Sequence, residues 1–257
     1  MNQAAAYYEG TEHSYRTLCP SLSGHMNMGL WPSQTLRSAQ ETLVLNGLNR
    51  VRASNHTIQV VVDAGSGWGG SRQLVAEVFP NAHYTGVNVS QKQIDAARAL
   101  NQGVGNTEYQ YGSVEEHAKE DWKADLFMSV EAAFHFENKR NLYRNVAKRA
   151  KSMLLLEICV TNEDNVRNNP LLRPALGHAW SLDTYNSELT TCGYKNVEIQ
   201  DLSSQVFDGF SDYLRTISLP SYEGNAAVLR QFRLAFGRMA KLAKQGELQY
   251  VQIWADK

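Results

Sequence analysis

Four glycines, Gly65, Gly67, Gly69 and Gly70, follow directly on the apolar run Ile58 to Asp63 (IQVVVD). A glycine-rich turn after a buried strand lets a ligand come up against bare backbone. The segment VVDAGSGWGG (Val61 to Gly70) parses as GxGxG or, through Gly70, as GxGxxG, a spacing that suits a dinucleotide pyrophosphate. Two residues argue against a pyrophosphate. Asp63 ends the strand two positions before the first glycine, where a negative charge serves no phosphate. The next strand ends in Asn88, where a nicotinamide dinucleotide site uses Asp or Glu to hold the ribose. A ligand with a sulfonium cation, an ammonium group and no phosphates fits better. Asp63 would meet its cationic amino-acid end, directly or through water, while Gly65, Ser66 and Gly67 bring the backbone close. The alternative is a plain strand-to-helix turn, which such a density of glycines disfavours.

A second set of reactive side chains lies further along. His135 sits in SVEAAFHFENKR, just past a strand at Ala124 to Val130, and Glu157 is an acid inside the apolar run LLLEICV. Buried acids are rarely unpaired, so Glu157 is expected to orient or charge His135 as a His–carboxylate dyad. The competing reading has His135 cap the following helix and Glu157 hold some other backbone group. Glu131 is a further carboxylate candidate on the same segment. His25 and His178 are placed in segments that could reach a substrate.

The elements that must position these groups alternate along the chain. Strands are expected at Ile58 to Asp63, His83 to Val89, Thr107 to Tyr111, Ala124 to Val130 and Ser152 to Val160. Helices are expected from about Ser71 to Val78, from the Ser90 cap to about Asn101, and from Asn138 to Ala150. This alternation predicts a parallel sheet with helices on both faces. The tail reads as a helix at about Ser181 to Cys192, a strand at Tyr194 to Ile199, a long amphipathic helix at about Tyr222 to Lys244 and a last strand at Leu248 to Trp254. Two strands around a helix suit a sheet closed by an antiparallel pair. The long helix, basic from Leu229 to Lys244, is expected simply to cover the sheet. One domain over residues 1–257 is expected, with 1–50 as an N-terminal helical lid and 161–220 as a cover segment after the fifth strand.

The sequence resembles the class I S-adenosylmethionine-dependent methyltransferases, a Rossmann-like α/β family with a seven-stranded, mostly parallel sheet. DAGSGWGG is similar to their D/E-x-G-x-G-x-G motif, and HYTGVNVSQKQIDAAR to their second-strand motif. AYYEGTEHSY (Ala6 to Tyr15), HMNMGLWPS (His25 to Ser33) and the end GELQYVQIWADK resemble the small-molecule group that contains tocopherol, sterol, cyclopropane-synthase-like and natural-product O- and N-methyltransferases. The resemblance implies S-adenosylmethionine as cofactor. It places Asn88 on the ribose hydroxyls, Val89 and Gln93 on the adenosine, Val114 and Glu115 beside the adenine, and Ser129 near the cofactor from the fourth strand. Tyr15 and Asn27 would close over the methionine end. The family commonly has Asp at the Ser113 position and a P-G-G turn where Ala150-Lys151-Ser152 stands here. Related O-methyltransferases carry a His at the His135 position. The cyclopropane enzymes carry a Glu one residue before it, where this chain has Phe134, which argues against their bicarbonate-assisted chemistry.

Composition narrows the substrate. The 257 residues are 43% hydrophobic and 20% charged, with a formal net charge of −1 and no Lys/Arg-rich run, so a nucleic-acid substrate is not supported. Cys19, Cys159 and Cys192 are well separated, as for reduced thiols in the cytoplasm, and no His/Cys/Asp/Glu spacing suggests a metal. No apolar run reaches the ~18 residues of a membrane helix. The expected activity is methyl transfer to a hydroxyl or amine of a small aromatic or natural-product acceptor, with His135 as base. The alternatives are C-methylation of an alkene, or a methyltransferase-like protein that binds the cofactor without transfer. Calorimetric titration should give micromolar binding of S-adenosylmethionine and none of NAD(H), whereas a clear NAD signal would restore the GxGxxG parse.

Overall fold

The computed structural model describes residues 24–33, 35–168, 173–217 and 226–257. Period-two burial along the strands sorts the apolar side chains into two layers. On β1 (Val60–Ala64), Val61 faces one layer and Val62 the other. On β4 (Ala124–Val130), Leu126 and Met128 oppose Phe127. On β5 (Ala150–Val160), Leu154, Leu156 and Ile158 oppose Met153, Leu155 and Cys159. Strands buried on both faces carry continuous apolar runs, and these runs are what made them visible in the sequence.

Seven strands form one sheet. With β2 (His83–Asn88), β3 (Thr107–Tyr111), β6 (Asn196–Asp201) and β7 (Leu248–Asp256), its order is β3-β2-β1-β4-β5-β7-β6. β1 pairs parallel with both β2 and β4, and β7 runs antiparallel between β5 and β6. This is the Rossmann-like methyltransferase arrangement, closed as expected by an antiparallel pair. Because the chain moves from β1 to β2 on one side and reaches β4 on the other, the strand order reverses between β1 and β4. Ligands bind beyond the carboxyl ends of the strands at such a reversal.

Helix caps agree with the sequence. Ser90 accepts from Gln93 N at the start of α3 (Gln91–Leu100), after α1 (Leu36–Arg52) and α2 (Ser71–Val78). α4 is the short turn Val114–His117, and Asn138 and Ser181 cap α5 (Lys139–Arg149) and α8 (Leu182–Thr191). The 161–180 stretch, which reads as irregular, contains α6 (Glu163–Arg167) and α7 (Arg173–Leu176). A π-turn, Ser204–Asp208, leads into α9 (Gly209–Thr216), and α10 spans Ala226–Lys244. No helix among the described residues is long and apolar enough to cross a membrane.

Two placements refine the sequence reading. α1 lies in the stretch expected as a lid, but it buries Leu43, Val44, Leu48 and Val51 in the core beneath the sheet. Their i, i+1, i+5, i+8 spacing forms a helical face, so this helix is scaffold. The covering role falls to residues 24–28, while residues 1–23, Tyr15 among them, lie outside the described residues. α10 packs on the π-turn, α9 and β7 rather than simply on the sheet. Leu48→Ala should lower unfolding stability by ~2–5 kcal/mol in chemical denaturation. Cofactor affinity at 20 °C should stay unchanged, because nothing of α1 lines the site.

Candidate active site

The glycine loop leaves β1 at the strand-order reversal. Gly65 N donates to Val87 O at 2.9 Å and Ser66 N to the same oxygen at 3.2 Å, tying the loop to the end of β2. Gly65 has φ +81°, and a Cβ there would overlap that of Ala132 in the turn after β4. Gly69, at φ +83°, is confined from behind, where a Cβ would come within 2.6 Å of the Tyr109 hydroxyl. Only glycine satisfies both backbone and space at these points.

This loop and the turn after β4 border a cleft enclosing about 1310 Å³ of space, part of it continuous with solvent. A smaller cavity of about 430 Å³ adjoins it and shares Gly65, Asn88, Ala132 and His135. Of the residues singled out from sequence, Asn27, Asp63, Gly65, Ser66, Gly67, Asn88, Gln93 and His135 line the cleft. Val89, Val114 and Glu115 line the adjoining cavity.

Asp63 is almost fully buried. Its Oδ2 accepts from the Tyr84 hydroxyl at 2.6 Å, and its Oδ1 has no hydrogen-bond partner among the described residues. Burial pushes its carboxyl up to about 6, against the Tyr84 hydroxyl and the nearby Ser71 hydroxyl. A buried carboxylate oxygen without a donor, on the wall of a cleft, suits an ammonium group. Asn88 Nδ2 donates to Gln93 Oε1 at 2.6 Å, which leaves Asn88 Oδ1 as an acceptor for a diol. Asn27 Oδ1 accepts from Gly29 N, and its carbonyl accepts from Gln40 Nε2 of α1 at 2.7 Å, so the scaffold helix holds the covering segment. Ser113, where the family commonly has Asp, accepts from Glu115 N and donates to Glu115 Oε2; Asn138 N donates to the other carboxylate oxygen.

Two expected contacts are corrected by the geometry. The Ser129 hydroxyl donates to Ala64 O at 2.9 Å and joins β4 to β1, and Ser129 does not line the cleft. Glu157 does not form a dyad with His135. It shares the face of β5 with Leu155 and Cys159, where it accepts from Ile158 N at 2.7 Å and from the Tyr185 hydroxyl at 3.5 Å. Burial pushes Glu157 up to about 8, against the attraction of Lys139. Lys139 lies 4.7 Å from the centre of the Trp180 ring and 3.4 Å from the Tyr185 hydroxyl. The alternation of β5 turns Glu157 away while Ile158 lines the cleft.

His135 ends the 3₁₀ turn Ala133–His135, which brings it to the cleft straight after β4. Burial pushes its imidazole down to about 4, with His178 and Lys139 adding to the effect, so it is neutral near pH 7. Glu131 stands opposite the glycine loop at φ +49°, a left-handed backbone that non-glycine residues rarely adopt. Its Oε1 accepts from Met28 N and from the Tyr250 hydroxyl, both at 2.9 Å, and burial pushes its carboxyl up to about 7. Phe210, Phe232, Phe236 and Met239 form the apolar wall beyond it. From sequence, Phe210 is one of the cover-segment aromatics that could line an apolar pocket, whereas Phe232, Phe236 and Met239 were missed although they recur at helical spacing.

The chain's likeness to known proteins agrees with this site. The family described as "Methyltransferase domain" matches residues 61–154, from β1 through β4 into β5. An O-methyltransferase from Pyrenophora dematioidea is 26% identical over 202 residues, covering 72% of this chain and 73% of its own. Residues 61–154 thus carry a methyltransferase domain, and the chain is similar to S-adenosylmethionine-dependent methyltransferases of small molecules. Solved structures share the whole fold. One, described as a sarcosine dimethylglycine methyltransferase from Galdieria sulphuraria, has a TM-score of 0.82 at 16% identity, covering 97% of this chain and 98% of its own. A geranyl diphosphate C-methyltransferase from Streptomyces coelicolor A3(2), in complex with Mg2+, geranyl-S-thiolodiphosphate and S-adenosylhomocysteine, has a TM-score of 0.75 at 16% identity over 99% of this chain and 97% of its own. The residues present fit the cofactor of this methyltransferase: Asp63 Oδ1 lacks a donor, and the cradle at Gly65 admits no side chain.

If Asp63 holds the cofactor's ammonium, affinity for S-adenosylmethionine should be level above about pH 6. Below that it should fall by up to tenfold per pH unit as the carboxyl is protonated. Tyr84→Phe removes a bond that stabilises the carboxylate and should move the fall to higher pH, and Asp63→Asn should weaken binding and flatten the profile. Calorimetric titration between pH 5 and 7 checks all three.

Proposed function

We propose that this methyltransferase transfers the cofactor's methyl group to a hydroxyl or amine of a small, largely apolar acceptor, aromatic or of natural-product type. The observation that carries the reading is the division of the cleft. Asp63, Asn88 and Gln93 line it from β1, β2 and α3, Phe210, Phe232, Phe236 and Met239 line it from α9 and α10 beside β7, and Glu131 and His135 line it from the turn after β4, which lies between these in strand order. The cofactor supplies a methyl carbon already activated by positively charged sulfur. The protein's part is to bring the acceptor into line within about 3 Å and to keep water out. The apolar wall does the second, and the groups of the turn after β4 do the first.

The proton of the acceptor has two destinations. His135 is neutral and can accept a hydrogen bond from a hydroxyl, but an imidazole pushed down to about 4 is a weak base. Glu131, near 7, is better matched to proton uptake at neutral pH, and a bound cation nearby would keep it ionised. The arrangement we favour therefore has His135, the base candidate from sequence, hold the acceptor by a hydrogen bond and Glu131 take up the proton. A second reading, C-methylation of an alkene, draws on the fold shared with the geranyl diphosphate enzyme and on the apolar wall. Against a diphosphate substrate, the described residues lining the cleft include no Lys or Arg. Free Cys159 and Cys192 fit a reducing compartment such as the cytoplasm.

The test is release of S-adenosylhomocysteine with a panel of phenols and amines. His135→Gln should lower kcat by ~10²–10⁴-fold while cofactor affinity changes by less than a few-fold. A variant that binds cofactor and keeps full turnover would remove His135 from the reaction.

A further inference from the structure

The acceptor end of the cleft has an unbalanced set of charges. Glu131 lines it from the turn after β4, and the described lining residues supply no Lys or Arg to neutralise it. Its hydrogen bonds, from Met28 N and the Tyr250 hydroxyl, both fall on Oε1. Among the described residues no hydrogen bond falls on Oε2. The groups around Glu131 do not offset its charge. Tyr250 comes from β7, and Glu157 on β5 is close enough for the two acids to repel. His25 and His135, which line the same cleft, are pushed down to about 4 by burial and are neutral at pH 7. Past Glu131 the wall is aromatic, with Phe210 and Phe236 edge to face at 4.8 Å between centres.

A half-buried carboxylate with one oxygen that accepts no hydrogen bond among the described residues, in a cleft walled in part by aromatic side chains, fits a hydrogen-bond donor that carries positive charge in water. An anion there would be desolvated beside a like charge with nothing to pair with. We propose that the acceptor is an apolar, arene-bearing amine whose nitrogen is anchored at Glu131 Oε2, so that the chain is an N-methyltransferase. The proposal rests on the methyltransferase reading above and selects between its two acceptor atoms.

The charge balance of the step is complete within the site. The amine arrives as an ammonium, and in the desolvated cleft its proton passes to Glu131, giving a neutral amine and a neutral acid. That carboxyl, raised to about 7, is a competent proton acceptor. The nitrogen lone pair forms the new N–C bond as the S–C bond breaks, and that bond's electron pair stays on sulfur. The products are S-adenosylhomocysteine and a methylated ammonium. Glu131 then returns its proton to solvent.

Three probes of one skeleton test the inference: 2-(2-naphthyl)ethylamine, 2-(2-naphthyl)ethanol and 2-naphthylacetate, titrated into the full chain saturated with S-adenosylhomocysteine. The amine should bind at least tenfold more tightly than the alcohol and the carboxylate least of all. Glu131→Gln keeps an amide oxygen for Met28 N and the Tyr250 hydroxyl, so the turn is preserved, and it should erase the amine's advantage while leaving S-adenosylhomocysteine affinity unchanged. With S-adenosylmethionine present, the amine should be the probe that is methylated. Amine binding that is absent or no tighter than the alcohol's overturns the proposal, as does a Glu131→Gln protein that keeps the tenfold preference. Methylation of the alcohol instead would overturn the amine inference and leave the methyltransferase reading standing. Failure to bind either form of the cofactor would remove the methyltransferase reading itself.

Discussion

Strands β1 and β4 run parallel and adjacent, yet the chain continues from one toward β2 and from the other toward β5. The crevice at their carboxyl ends is therefore bridged by no crossover, and the two turns that leave it face each other. At Gly65 and Ala132 these turns are so close that a side chain on the glycine would occupy the space of the alanine methyl. That approach fixes how far the cofactor loop stands from the turn carrying Glu131 and His135. Every distance between the two ends of the site is set from there.

Three acids lie on the three central strands or their ends: the buried Asp63 on β1 and Glu157 on β5, and the half-buried Glu131 after β4. Burial pushes each above the usual carboxylate range, because an ionised carboxyl loses more in hydration than its few hydrogen bonds return. Their surroundings give them different parts. Glu157 is enclosed by Tyr185, the Ile158 N–H and the nearby Lys139, and it belongs to the layer behind the sheet. Asp63 and Glu131 each keep an oxygen without a donor among the described residues and line the cleft. A cationic ligand would relieve the unfavourable desolvation of these two charges, so that their cost to folding would become affinity for ligand.

The rest of the molecule keeps this arrangement dry and in register. α1 fills the layer beneath the sheet and, through Gln40, holds the covering segment by the Asn27 carbonyl. Tyr84 and Tyr109 stand behind the glycine loop, one bonded to Asp63 and the other closing the space at Gly69. α10 supplies the aromatic wall from a helix that packs on the π-turn, α9 and β7. The polar groups of the cleft thus come mostly from the centre of the sheet, and much of its apolar wall from the last third of the chain.

Much of this was legible in the residues. Strands buried on both faces are continuous apolar runs, helix starts carry Ser or Asn caps, and Asp63 with its glycines states a strand, a turn and a cationic ligand in eight letters. These signals are local, and local sterics and hydrogen bonding decide them. The pairing of buried charges was not legible, because it depends on which way a side chain points once the strands are in register. Glu157 and His135 are both prominent in sequence, yet strand alternation sends Glu157 behind the sheet, and Ser129 turns to Ala64 for the same reason. Phe232, Phe236 and Met239 showed their helical spacing, but a spacing tells only that a face is buried and not against what. Sequence by itself determined the sheet, the loop and the cofactor. Only the tertiary structure decided that Glu131 lines the cleft, because that required β1, β4, β7 and the covering segment to meet at one point.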